Sequence, residues 1–372
     1  MPDIALGARV LGAGGGGNPY LAALRLRMEL RQGRRVIVWP LDLVAEDSAG
    51  CAVSGMGAPT VGIEKLPRGD EMWAAVRALQ GYVGRQADYI VIGEIGGGNS
   101  IAPLVAAAQA GLPVIDADPM GRAFPELQMD TFMIGGVKPY PFALHDAHGQ
   151  TVVFDQVLDP FSAERLARAV TTAMGASAAL ALPWLTGEEL RRTAISGTLS
   201  LALHMGRAIR HARREGVDPI DALLRVSGGK RLFHGKIVDV DRRTTGGFAR
   251  GTVTLAGLDE DEGSECRVAI QNEFLVAWKE GKGGEEVLAT TPDLITLLDE
   301  ETGDPVGTEM LRYGLRLQIL GIPAAAQLKT REALEVVGPR AFGYDLDFKP
   351  LSGNLGDPFF LAERKKSGED LP

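Results

Sequence analysis

YIVIGEIGGGNSIAPLVAAAQAGLPVIDAD, residues 89–118, is the stretch that decides the fold class. Tyr89–Gly93 is a short apolar run that reads as a strand, and Gly93–Asn99 is a glycine-rich turn. Ile101–Ala110 has helical composition and is closed by Gly111, and Leu112–Asp118 is a second apolar run ending on two carboxylates. Strand, loop, helix and strand in thirty residues describe a crossover, which joins parallel strands.

The same alternation extends towards the N-terminus. ARVLG (8–12) is expected as a strand and PYLAALRLRMEL (19–30) as a helix ended by Gly33. RRVIVWPLD (34–42) reads as β-rich, and 69–85 as a helix. Beyond residue 159 the texture becomes helical. Asp159-Pro160 starts a helix that the alanine-rich FSAERLARAVTTAMGASAALAL is expected to continue. Thr186 and Glu189 have the spacing of a capping box. Ile195, Leu199, Ala202, Leu203 and Ile209 recur at helical spacing, and DPIDALLRVSGG adds a short helix. From about residue 230 alternation and turn residues dominate, with a last short helix expected at 330–337. The expectation is an α/β protein: an N-terminal ligand-binding domain (1–160) with a mostly parallel sheet and glycine-rich loops, then a C-terminal domain (161–372). The latter divides into a helical segment (161–228) and a β-rich lobe (229–365).

Composition excludes several classes. With 45% hydrophobic and 23% charged residues the 372-residue chain is globular, and its net charge of −9 disfavours a nucleic-acid partner. No apolar run is long enough to span a bilayer, and the N-terminus lacks a basic-then-apolar signal. No membrane partner and a cytoplasmic location are the expectation. Two cysteines, Cys51 and Cys266, make neither a disulfide framework nor a metal knuckle. His145 with His148, and His204 with His211, do not complete a zinc set.

Three loops carry the candidate chemistry. Each is expected to follow a strand, so that all three share one rim of the sheet. The first is Gly12–Tyr20, in which Gly14, Gly15, Gly16 and Gly17 precede Asn18, Pro19 and Tyr20. Consecutive glycines allow backbone N–H groups to approach an anion at a helix start. A dinucleotide fingerprint fits weakly, and no P-loop lysine is present. The second loop sets Glu94 against three glycines and Asn99; Glu94 suits a base, a metal ligand or an acceptor, and Asn99 a ligand contact or a helix cap. The third holds Asp116, Asp118, Arg122 and Glu126. It fits a divalent-cation site, acid–base chemistry with Arg122 clamping a carboxylate, or a salt-bridged loop. Ser196 and Thr198 flank Gly197, where hydroxyls cap a helix or face a ligand. No Gly-x-Ser-x-Gly elbow exists.

GAGGGGNPYLA, GEIGGGNS, DADPMGRAFPEL, SGTLS, GKIVDVDRRTTGGF, QNEFLVAW, PDLITLLD, RYGLRL and GPRAFGYD occur in that order between about residues 10 and 350. Together they resemble the S-methyl thiohydantoin desulfurase-like family, bacterial and archaeal proteins long catalogued as a domain of unknown function. The resemblance implies an N-terminal α/β domain and a C-terminal domain. It also implies kinship with enzymes of thiohydantoin, hydantoin and oxoproline ring metabolism. It carries over to Gly14–Tyr20, Glu94–Asn99, Asp116, Asp118, Arg122, Glu126, Ser196 and Thr198, and more weakly to Asn272 and Glu273 in the QNE motif. The cysteines lie outside every motif.

The expected function is a hydrolase acting on a five-membered cyclic amide or thioamide, releasing hydrosulfide from a thiohydantoin. Glu94, Asp116 and Asp118 are the expected catalytic or metal-holding carboxylates. Gly14–Gly17, Asn18, Tyr20, Asn99, Arg122, Glu126, Ser196 and Thr198 are expected around the substrate. A divalent metal stays open as cofactor, and the partners are a small molecule and further copies of the chain. The competing expectation is a nucleotide- or metabolite-binding regulatory module without catalysis.

Overall fold

The structure is a computed structural model that describes residues 1–57, 61, 65–245 and 248–367. Its elements run β1 (Val38–Pro40), β2 (Ala49–Gly57), β3 (Tyr89–Ile92), β4 (Val114–Asp118), β5 (Phe142–His145), β6 (Thr151–Phe154), β7 (Ser177–Thr186) and β8 (Ile195–Ser196) in the first sheet. The second sheet is β9 (Lys230–Thr245), β10 (Phe248–Gly257), β11 (Glu265–Gln271), β12 (Glu273–Gly281), β13 (Gly284–Thr290), β14 (Leu294–Asp299) and β15 (Arg316–Ile322). Helices are α1 (Pro2–Leu11), α2 (Pro19–Arg31), α3 (Glu71–Val83), α4 (Ala102–Ala110), α5 (Thr131–Ile134), α6 (Pro160–Ala173), α7 (Gly187–Thr193), α8 (Thr198–Glu215), α9 (Pro219–Ser227), α10 (Arg331–Val337) and α11 (Asp357–Ser367).

The first sheet has the order β1-β4-β3-β2-β7-β5-β6, with β8 paired to β4. β1, β4, β3 and β2 are mutually parallel, whereas β7, β5 and β6 extend the sheet antiparallel. The chain is therefore an α/β protein whose N-terminal strands form the parallel part. β3 and β4 flank α4 as the opening stretch requires: Ile90 lies opposite Val114 and Val91 opposite Ile115. All four residues of β3 and all five of β4 are buried, the continuous burial of parallel strands covered on both faces. The second sheet is antiparallel throughout, in the order β13-β12-β11-β10-β9-β15-β14.

Two expectations fail. ARVLG is not a strand but the end of α1. Pro2 sits in the first turn, Asp3 and Arg9 complement the helix dipole, and Leu6, Val10 and Leu11 form one buried stripe. Four residues of apparent alternation fit both periods, and the contact with α8 decides. A Cβ on Gly7 would overlap Ala202 O, and one on Gly206 would overlap Asp3 O. The two helices thus cross at backbone distance. The second failure is the long helix after Pro160. It stops at Ala173, Gly175 and Ala176 take left-handed φ of 86° and 61°, and SAALALPWLT becomes β7. Alanine favours helix locally, but here it supplies small side chains to a strand hydrogen-bonded on both sides, to β2 and β5.

One core joins the two halves. Leu6 and Val10 of α1, Met205 and Ile209 of α8, and Leu294 and Ile322 of the second sheet belong to one buried cluster with Ile90, Ile92 and Val114. Among the described residues no helix is long and apolar enough to cross a membrane.

Candidate functional site

The loops after β3 and β4 leave from the same end of two parallel strands, where α/β sheets present ligand sites. The first glycine loop joins them although it follows a helix. Gly98 N donates to Gly16 O at 2.8 Å and to Gly17 O at 3.0 Å, and Ala123 N donates to Leu11 O at 3.3 Å. The second sheet closes the assembly: Phe274 N donates to Ala13 O at 2.8 Å and Thr308 N to Gly14 O at 2.9 Å.

These contacts explain the glycine run. A Cβ on Gly14 would stand 2.6 Å from the Phe274 ring, and Gly14 has φ of 94°. A Cβ on Gly15 would overlap Glu273 Oε1, and one on Gly16 would press 2.5 Å from the Gly96 carbonyl carbon. Only at Gly17 is the space open. Three of the four glycines therefore permit close approach, Gly14 and Gly15 to side chains of the second sheet and Gly16 to the backbone of the second loop. Gly14 and Gly15 do not line the cleft, and Gly16 offers its carbonyl to Gly98. The dinucleotide fingerprint does not fit this geometry, because the loop follows α1 and not a strand.

The cleft so formed has a volume of about 490 Å³, within the usual range for small-molecule sites. Gly16, Gly17, Asn18, Tyr20, Glu94, Asn99 and Glu126 line it, together with Asn272 and Glu273. Asn18 also caps α2, its Oδ1 accepting from Tyr20 N at 2.9 Å, and Tyr20 is 64% exposed at the mouth.

Glu94 is the best-formed polar feature. It is buried at the end of β3, and Asn99 Nδ2 donates to its Oε1 at 2.5 Å. Asn99 is fixed in turn by Gly55, whose N–H donates to Asn99 Oδ1 at 2.9 Å. Burial pushes the Glu94 carboxyl up to about 7, opposed by hydrogen bonds from Asn99 and the Phe124 amide. Glu273 is also buried, at the start of β12, and burial with the neighbouring Glu94 charge holds its carboxyl well above the usual range. Its Oε2 has no hydrogen-bond partner among the described residues. Asn272, with φ of 58°, makes the tight corner that presents Glu273, and its Oδ1 accepts from Ala249 N at 2.9 Å.

Other expected residues serve the scaffold. Asp116 caps α8: its Oδ1 accepts from Leu199 N at 2.9 Å and Ser200 N at 3.1 Å, and the Ser200 hydroxyl donates to Oδ2. Asp118 is fully buried and gathers the amides of Ile95 (3.0 Å), Met120 (3.1 Å) and Gly121 (3.0 Å); burial lifts its carboxyl to about 7. Neither lines the cleft. The expected cation site is therefore not assembled from Glu94, Asp116 and Asp118, and among the described residues no group of three or more His, Cys, Asp or Glu could hold a metal ion.

Arg122 is not a substrate clamp. Its guanidinium is fully buried and donates to the carbonyls of Ala123 (2.9 Å), Pro292 (3.2 Å), Asp293 (2.9 Å) and Phe274 (3.2 Å). It tethers the third loop to the second sheet and lends its charge to Glu273 and Glu94. Ser196 pairs with Ala117 in β8 and Thr198 is buried in the first turn of α8; neither reaches the cleft. Both cysteines are buried, with thiols pushed up to about 12 by burial.

Ser54, Lys65 and Arg168 line the cleft and were not expected. Lys65 Nζ donates to Met174 O at 2.7 Å. Arg168 pairs with Glu164 at 2.7 Å and lies 4.6 Å over the Phe248 ring. Ser54 comes from β2, Lys65 from a loop and Arg168 from α6, and none lies in a motif that the sequence singles out.

Comparison with known proteins agrees with this architecture. The model of the S-Me-THD-like N-terminal domain matches residues 1–156, and that of the S-Me-THD-like C-terminal domain matches residues 158–351. A crystal structure of a protein from Chromobacterium violaceum is similar at 27% identity with a TM-score of 0.78, over 94% of this chain and 97% of the other. No curated protein matches. With both domain models spanning nearly the whole sequence, the chain belongs to the S-Me-THD-like family, that of the S-methyl thiohydantoin desulfurase-like proteins.

Proposed function

We propose that the cleft hydrolyses a five-membered cyclic thioamide of the thiohydantoin type, with Glu94 as general base and Glu273 as general acid. The observation that carries this reading is the split between two buried carboxyls in one cleft. Burial raises the Glu94 carboxyl to about 7, against the opposing hydrogen bonds of the Asn99 and Phe124 amides. Glu273 is driven well above its ordinary range and keeps an unpartnered oxygen. Two carboxyls with separated titrations are the usual arrangement for base and acid at neutral pH. The family supports a thiohydantoin-related role, and the volume suits a substituted five-membered ring.

In the forward step the Glu94 carboxylate takes a proton from water as its oxygen bonds to the thiocarbonyl carbon. The C=S π pair moves to sulfur, and the protonated Glu273 carboxyl delivers its proton there. The tetrahedral carbon then carries OH and SH. On collapse the hydroxyl proton returns to Glu273, the C–S bond breaks, and hydrosulfide leaves with the proton held by Glu94. The sum is thioamide plus water giving amide plus hydrogen sulfide, with both carboxyls restored. General acid–base assistance of this kind contributes about 10² to 10⁴ in rate.

The test is sulfide release from a panel of thiohydantoins by the protein and by Glu94→Gln and Glu273→Gln, with product identified by mass spectrometry. Turnover that falls at least a hundredfold in both variants is expected. Full turnover in either variant overturns that residue's role, and binding without any product favours the regulatory-module reading.

A further inference from the structure

A second cavity, of about 200 Å³, adjoins the cleft along Leu21, Gly55 and Ala102. Gly55 is the residue whose backbone fixes Asn99, and through it Glu94. The annex therefore begins beside the proposed base. Its wall is formed by Leu66, Met72, Val105, Ala106, Ala178 and Ala179.

Most polar groups of the annex are already engaged. Arg25 donates to the carbonyls of Pro67 and Arg68, Lys65 to those of Met174 and Ser177, and Glu71 accepts from the amides of Arg68 and Gly69. Gln109 contributes an oxygen without a partner among the described residues. That oxygen and the Glu71 carboxylate oppose an incoming anion. A cavity of roughly 150 Å³ lined by apolar side chains accepts benzene, so this annex has room for a group between isobutyl and benzyl.

We propose that the annex is the specificity pocket of the site and receives an apolar substituent on the ring carbon (C5) of a hydantoin or thiohydantoin, such as one derived from leucine or phenylalanine. The proposal rests on the ring-binding reading above and adds the class of ring substituent. With the ring between Glu94 and Glu273, a substituent directed past Gly55 leaves water for the apolar wall. An anionic substituent would face the Glu71 carboxylate and the Gln109 oxygen, and among the described residues the donors of Arg25 and Lys65 already serve backbone carbonyls.

The experiment measures binding, so it does not depend on turnover. Hydantoins with C5 unsubstituted, isobutyl, benzyl and carboxymethyl are titrated calorimetrically into the protein and into Val105→Phe and Leu66→Ala. The isobutyl and benzyl rings are expected to bind about ten- to hundredfold tighter than the unsubstituted ring. That ratio should fall at least tenfold in Val105→Phe, which fills the annex, and about threefold in Leu66→Ala, which opens its wall. Leu66 is 73% exposed, so its truncation leaves the core intact. Equal affinity across the panel, a preference for carboxymethyl, or a ratio unmoved in both variants overturns the proposal while the ring-binding reading stands. Failure of every ring to bind overturns both.

Discussion

Asn99 donates to Glu94 at 2.5 Å while its carbonyl oxygen accepts from Gly55 at 2.9 Å, so the backbone of β2 orients the carboxyl at the end of β3. The hydrogen bond lowers the Glu94 titration against the dominant effect of burial. Asn99→Ala removes it, and the Glu94 carboxyl must titrate higher. The acid limb of the pH profile of kcat/KM for sulfide release, set by the fraction of Glu94 in its basic form, is expected to move up in pH. A limb that stays in place, or moves down, removes Glu94 as the base.

Gly15 tests the packing account of the glycine run. Its φ is not left-handed, so alanine is acceptable to the backbone, yet the added methyl meets Glu273 Oε1. Gly15→Ala is expected to lower kcat/KM about a hundredfold, the scale of a 1 Å displacement of a catalytic group, with little change in melting temperature. Gly17→Ala is the converse case. It has open space but φ of 74°, and should cost about 1 kcal/mol of stability. Comparable activity in the two variants would show that Glu273 tolerates displacement.

Asp116→Asn should retain turnover. The carboxylate serves the N–H groups of Leu199 and Ser200 at the start of α8, and an amide oxygen can still accept there. Asp116→Ala should lower stability by about 1 kcal/mol and leave kcat within a few-fold. Loss of turnover in a folded Asp116→Asn protein would return this residue to the chemistry.

Arg122→Met should lower stability by about 3 kcal/mol or more, because it strips donors from four buried carbonyls. Urea unfolding monitored by tryptophan fluorescence measures this. A stable variant with a raised KM alone would restore the substrate-clamp reading.

Asp130 provides a pH test away from the cleft. It caps α5 and is fully buried, and burial raises its carboxyl from 3.8 to about 7. Between about pH 4 and 7 the folded state holds a proton that the unfolded state has released, so this group's stabilisation is lost as pH rises through that window. Asp130→Asn keeps an accepting oxygen without the charge. It should flatten this fall and stabilise the protein at pH 8 by on the order of 2 kcal/mol. An unchanged pH dependence of unfolding would place the titration elsewhere.

The parts of the site legible in the sequence are those where chemistry sits at a strand end. Glu94 and Asn99 follow an unambiguous apolar run and a glycine turn, and both line the cleft. Asp116 and Asp118 have the same position in sequence but turn to backbone amides, a choice made by α8 and the Ile95–Gly121 loops. Arg122 reads in the sequence as a carboxylate clamp or a salt-bridge partner, and the approach of the second sheet gives it backbone carbonyls instead. Glu273 carried a weak signal because a carboxylate in an alternating strand ordinarily faces solvent; the left-handed corner at Asn272 turns it inward. Ala8–Leu11 and Ser177–Leu182 were misread because short alanine- and leucine-rich runs fit both periods, and the partner element decides between them.

Glu94 stands on the rim of the parallel sheet and Glu273 on a corner of the antiparallel one, with the Arg122 guanidinium fastened between the two. The pair behaves as an AND gate: neither sheet alone holds both inputs. While the chain emerges from the ribosome, residues 1–156 bring only the first carboxyl, and the second follows more than a hundred residues later. On the proposed acid–base pairing, a half-made or clipped chain carries no Glu273 to match Glu94, and the chemistry stays silent until the last sheet has docked.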